Sequence, residues 1–127
     1  MTQFLSEQHM EAATEALNSD TAFKEAMANV DLGLQFTVTD GPGGDTEYFL
    51  KVGDDVATVE LGELPDADAS VSSDYESATA ISQGDLNVQM AFMTGKIKVG
   101  GNMAKVMMYQ GLINEFTRVS SGLDLEY

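Results

Sequence analysis

The hydrophobic period changes several times along this chain, and each change predicts an element. Over residues 7–18, Met10, Ala13 and Leu17 recur at helical spacing while Glu7, Glu11 and Glu15 line another face, the pattern of an amphipathic helix. Asp20 is placed to cap a second, short helix carrying Phe23, Met27 and Val30. The period then drops to two. Leu32, Leu34, Phe36 and Val38 alternate with Asp31, Gly33, Gln35, Thr37 and Thr39, as in a strand with one buried and one wet face. A Gly-Pro-Gly-Gly turn cluster leads to a second strand over 46–52, and Gly53-Asp54-Asp55 reverses the chain into a third over 56–63. Short polar turns between three strands predict an antiparallel meander.

Beyond Pro65 the alternation of Ala67, Ala69 and Val71 with Asp68, Ser70 and Ser72 predicts a fourth strand. Ser73 with Glu76 fits a capping box, opening a helix that Gly84 stops. Asn87 caps one more short helix that Gly95 ends, residues 96–99 form a short strand, and Asn102 caps a final helix to about residue 116. The order is that of an α+β domain, one sheet with helices over one face. Apolar residues run nearly all the way round the last helix, from Met103 to Phe116. A surface helix carries a narrower stripe, so this one calls for two apolar neighbours: the sheet, and a helix, a partner or a ligand cavity.

At 127 residues the chain is expected to form one domain, residues 1–127. Its 43% hydrophobic and 21% charged residues make a globular balance. The net charge of −15 disfavours nucleic acid and anionic membrane as partners, because both need neutralising cations. The charge is uneven: residues 40–85 hold 12 acids against Lys51 alone, whereas residues 86–118 carry Lys96, Lys98, Lys105 and Arg118 against Glu115. An anionic head group is therefore electrostatically welcome only in the last third. No apolar run approaches the ~18 residues of a membrane span. The first residues lack a signal-peptide pattern and the last match no peroxisomal or prenylation motif. The expectation is an acidic, cytoplasmic protein without stable membrane insertion.

Candidate chemistry is thin. With 0 cysteines, disulfides, thiol nucleophiles and Cys-ligated metals are excluded. The single histidine, His9, reads as a surface residue of the first helix, and no Gly-x-Ser-x-Gly elbow accompanies it. Asp66-Ala67-Asp68 opens like a calcium loop, but Val71 stands where Gly is required and Ser77 where Glu is required. No catalytic residue, metal site or cofactor is expected. Five of the 8 methionines lie between Met90 and Met108; methionine fills irregular space and tolerates ligands of varied shape.

The stretch from Gly84 to Asn102 resembles the signature of sterol carrier protein 2 domains. The matching positions are Gly84, Ala91-Phe92, Gly95-Lys96-Ile97, Val99 and Gly101-Asn102, and the match is strongest over residues 67–116. The resemblance implies a five-stranded mixed sheet with helices packed on one face and an apolar tunnel between them. It implies a non-enzymatic carrier of a fatty acid, acyl-CoA, sterol-like or other elongated apolar ligand. The expected lining is Phe36, Phe92, Met93, Met103, Val106, Met107, Ile113 and Phe116, with Lys96, Lys98 and Lys105 as candidates for an anionic head group. The alternative is a protein-interaction or dimerisation module with a filled core, paired with a second copy or a partner enzyme.

Overall fold

The structure, a computed structural model, describes residues 2–123 and 125–126, apart from the side chain of Val88. In chain order the elements are β1 (Thr2–Gln3), α1 (Glu7–Ser19), α2 (Thr21–Ala26), β2 (Leu32–Gly41), β3 (Gly44–Gly53), β4 (Val56–Leu61), β5 (Ala69–Asp74), α3 (Tyr75–Ser82), α4 (Val88–Met93), β6 (Ile97–Gly101), α5 (Met103–Met108), α6 (Gln110–Ser121) and β7 (Leu125–Glu126). β2 to β6 form one mixed sheet in the order β4-β3-β2-β5-β6. Within it only the β2–β5 pair is parallel. β1 and β7 pair in parallel apart from it, tying the two ends of the chain together.

Local chemistry sets the helix starts. Ser6, Asp20, Asn87 and Asn102 each accept a backbone N–H of the first turn they precede, satisfying donors that the helix itself leaves free. The capping box on Ser73 is not formed. β5 runs on to Asp74, whose carboxylate takes the Ser77 N–H at 2.7 Å, and Asp outcompetes Ser because it brings a full charge to the positive helix end. The single last helix is also corrected. It breaks at Tyr109 into α5 and α6, two residues before Gly111, the weakest helix former of the segment.

Helix α1 is fastened along the free edge of β4. Thr14 Oγ1 accepts the Val59 N–H and donates to the Val59 carbonyl, at 2.9 and 3.1 Å. Asn18 makes the same pair of bonds with Ala57, at 2.9 and 2.8 Å. The match is metric: four helical residues rise about 6 Å and two strand residues about 6.6 Å. An edge strand that would otherwise invite pairing with another chain is thus capped. At the opposite edge, Gly101 has φ of +94°, and a Cβ there would lie 2.7 Å from the Asp68 carbonyl oxygen. Only glycine fits, and the strand can then pass straight to the Asn102 cap of α5.

The core lies between α1, α2 and the first three strands of the sheet. Leu17, Phe23, Met27, Leu32, Leu34, Leu50 and Val52 are its fully enclosed large side chains. Leu112 and Val119 of α6 close it from above.

Candidate functional site

Strand register decides which side chains share a surface. Phe36 of β2 lies opposite Tyr48 of β3 and Val71 of β5, and Val71 opposite Val99 of β6. The row beside it contains Ser73 and Ile97, and the row on the other side Leu34 and Val59. These side chains form the floor of a cavity of about 160 Å³. The roof comes from Phe4, from His9, Met10 and Ala13 of α1, and from Ala78, Ile81 and Ser82 of α3. Val106 of α5 and Ile113, Phe116, Thr117 and Ser120 of α6 complete it. No aspartate, glutamate, lysine or arginine is among these lining residues.

Aromatic rings organise one wall. Phe36 stacks on Tyr48 with centroids 4.8 Å apart and planes 9° from parallel, and Phe116 leans on Phe36 at 5.8 Å. Burial pushes the Tyr48 phenol far above its ordinary value, so it stays neutral. His9, expected at the surface, is 6% exposed. Its ring lies against Phe4 at 5.3 Å, and its Nδ1 accepts the Leu5 N–H at 2.9 Å. Burial lowers its pKa to about 4, because an imidazolium in this apolar setting would lose its hydration.

Four of the eight residues proposed as lining meet at this cavity: Phe36, Val106, Ile113 and Phe116. The other four lie on the outside of the molecule. Phe92, Met93, Met103 and Met107 are 48, 78, 38 and 71% exposed. The reason is the short, separate character of α4 and α5, whose outer faces meet no second layer. The apolar girdle of the last helix is therefore not shared between sheet and cavity alone, since Met103, Met107 and Met108 face outward. Lys96 and Lys98 are exposed, and Lys105 pairs with Asp68 at 3.1 Å. None of the three lines the cavity.

Sequence reasoning passed over His9, Tyr48, Leu34, Val71 and Ile97. A signal for His9 was present. It stands four residues before Ala13 and eight before Leu17, on the buried stripe of α1. Tyr48 and Leu34 carry the inward parity of their strands, which becomes a site only once the cross-strand register is known.

Known proteins share this architecture. The model of the SCP-2 sterol transfer family matches residues 10–114. Sterol carrier protein 2 of Gallus gallus is 29% identical over 115 residues, which is 81% of this chain and 21% of that protein. The chain thus spans about a fifth of that curated relative's length. A crystal structure of sterol carrier protein 2 superimposes with a TM-score of 0.82 at 20% identity, covering 96% of this chain and all of the other. The solution structure of a conserved hypothetical protein of Thermus thermophilus, described as possibly sterol carrier protein, gives 0.79 at 19% identity over 99% of this chain and 93% of that one. These two share the five-stranded α+β fold. The family match covers most of the chain, and the chain belongs to the SCP-2 sterol transfer family.

Proposed function

We propose that this domain binds a lipid or another elongated apolar molecule between sheet and helices and carries it without chemical change. The observation that carries this reading is a cavity in the middle of the fold with no acidic or basic side chain other than neutral His9 among its described lining residues, roofed by helices from both halves of the chain. The family match and the relative named as a sterol carrier support it. Each methylene enclosed is worth roughly 0.8 kcal/mol, so ten contribute about 8 before ordering costs.

At about 160 Å³ the cavity is below the roughly 300–1,000 Å³ of sites for drug-sized ligands. A long chain therefore enters by widening the space into a tunnel. Helix α5 is the element suited to move, since none of its residues is buried. Native mass spectrometry of protein purified without detergent, followed by extraction, tests the reading. A bound acyl chain or isoprenoid is the expected result. Protein that stays empty after incubation with mixed lipids, with no thermal shift, overturns it. Carriage within the cytoplasm is part of the proposal, and no helix among the described residues is long and apolar enough to cross a membrane.

One observation favours a second reading. Met90, Phe92, Met93, Met107 and Met108 of α4 and α5 all stand exposed, and exposed apolar side chains mark interaction sites where they adjoin. Docking on a second copy or on a partner enzyme would cover them. A mass that rises with concentration supports that reading, and a constant monomer mass removes self-association.

A further inference from the structure

Among the described residues, one lining side chain, that of His9, is a ring whose donor and acceptor positions are fixed. The cavity's other polar side chains, on Tyr48, Ser73, Ser82, Thr117 and Ser120, end in hydroxyls; that of Thr117 already donates to the Ile113 carbonyl at 3.0 Å, and a hydroxyl as a type can turn between donor and acceptor. His9 has no such freedom. The Leu5 N–H donates to Nδ1 at 2.9 Å, so Nδ1 carries no proton and the proton of the neutral ring is on Nε2. The turn that delivers this amide is itself enforced. Leu5 has φ of +65°, the left-handed region that a leucine enters only at a cost. The ring is held from one side by Phe4, and its backbone N–H is taken by the Ser6 cap. Nε2 makes no hydrogen bond to the described residues, yet no buried side-chain nitrogen or oxygen among them lacks a partner. It therefore opens on accessible space, in a residue that lines the cavity and is otherwise enclosed.

We infer that His9 reads the polar end of the ligand: its Nε2–H donates to an acceptor oxygen, so the chain takes apolar molecules carrying an uncharged carbonyl, such as a ketone, quinone or ester. The inference rests on the lipid-binding reading and narrows it. A carboxylate is disfavoured, because no lysine or arginine is among the described lining residues and a buried anion without a counter-charge is costly. The lowered pKa of His9 agrees with a donor that is neutral when the cavity is filled.

Displacement of Nile red, an uncharged apolar fluorophore, by dodecane, dodecan-2-one and dodecanoate at pH 7 tests this in wild type, His9→Phe and His9→Gln. His9→Phe is expected to weaken dodecan-2-one about tenfold more than dodecane, the value of one good hydrogen bond. His9→Gln, which keeps a neutral N–H donor, restores the ketone to within about threefold. Dodecanoate is expected to bind wild type more weakly than the ketone. In wild-type protein the Nε2 resonance of ¹⁵N-histidine moves with dodecan-2-one and not with dodecane, a readout that does not require the variants to fold. An unmoved Nε2 resonance, equal losses for ketone and alkane in His9→Phe, or dodecanoate binding as well as the ketone overturns the inference while lipid binding stands. No displacement by any of the three overturns lipid binding and this inference together.

Discussion

The two ends of the sheet are built differently. Around β4, β3 and β2, helices α1 and α2 bury Met10, Leu17, Phe23 and Met27 against Leu32, Leu50 and Val52, and Thr14 and Asn18 bond the edge backbone directly. Around β6, helices α4 and α5 are six residues long and leave most of their methionines in solvent. The cavity lies where the two styles meet. One wall is close-packed and fixes a shape, and the other has little apolar burial to lose on moving. If the domain carries a ligand as proposed, low local stability on the α5 side suits an entrance there.

The difference should appear first in stability. Leu50 is fully enclosed, and Leu50→Ala is expected to cost about 3–4 kcal/mol, as other buried leucines do. Val106 is only half-buried and already faces empty space, so Val106→Ala should cost about 1 kcal/mol or less. Urea midpoints of the two variants measure this directly. Equal losses would mean that the α5 side is packed as firmly as the α1 side, and the comparison would collapse.

Acid acts next, and through His9. Its folded pKa of about 4 lies below the ordinary histidine value of about 6.5, so the unfolded chain binds the extra proton between those limits. Stability from the neutral ring is complete above about pH 6.5 and is lost as pH falls towards 4, for a total of about 2–3 kcal/mol. Asp20, held down by the Phe23 N–H and Arg118, and Asp74, held down by Ser77, lose their contribution at lower pH in the same direction. Melting temperatures of wild type and His9→Gln should therefore converge between pH 7 and 4. A constant gap would place the His9 ring in water.

The order of the elements from α1 to β6 was legible in the sequence because period-two and period-3.6 stretches alternate cleanly from Met10 to Val71, whereas the two-residue strands β1 and β7 are too short to carry a period. The α+β class and the five-stranded sheet followed from that order and from the resemblance at residues 84–102. Single-residue competition was not legible. Ser73 and Asp74 are both caps in type, and the continuation of β5 chose the second. The site was half legible. Phe36 carries inward strand parity, and Ile113 and Phe116 are three residues apart on one face of α6. Met93 and Met107 drew notice by composition alone, and composition does not say which way a short helix faces. His9 was misplaced because its glutamate neighbours outweighed its four-residue step to Ala13.

The bond between α1 and β4 gives a smaller and more local effect. Asn18→Ala removes both the donor and the acceptor that serve Ala57. Water can replace them at an open edge, so the expected loss is about 1–2 kcal/mol. Exchange of the Ala57 amide should accelerate well beyond that of Val52 in the neighbouring strand. If both accelerate alike, α1 stabilises the sheet only through its apolar face.

The smallest effect is the sharpest test of the loose side. Met107 is 71% exposed on α5, and Met107→Asp should change stability by no more than about 0.5 kcal/mol, as exposed substitutions do. Its effect on ligand is then free of folding. If α5 swings aside to admit a chain, Met107 is near the moving edge, and a charge there slows uptake of an uncharged fluorescent lipid while leaving the melting temperature in place. If uptake is unchanged as well, the path into the cavity lies elsewhere, and the exposed methionines are left with the partner-binding role. If the melting temperature falls by many degrees, Met107 is packed against something in solution, and a second copy covering that face is the simplest candidate. The same substitution thus separates an entrance, a bystander and an interface by two measurements on one variant.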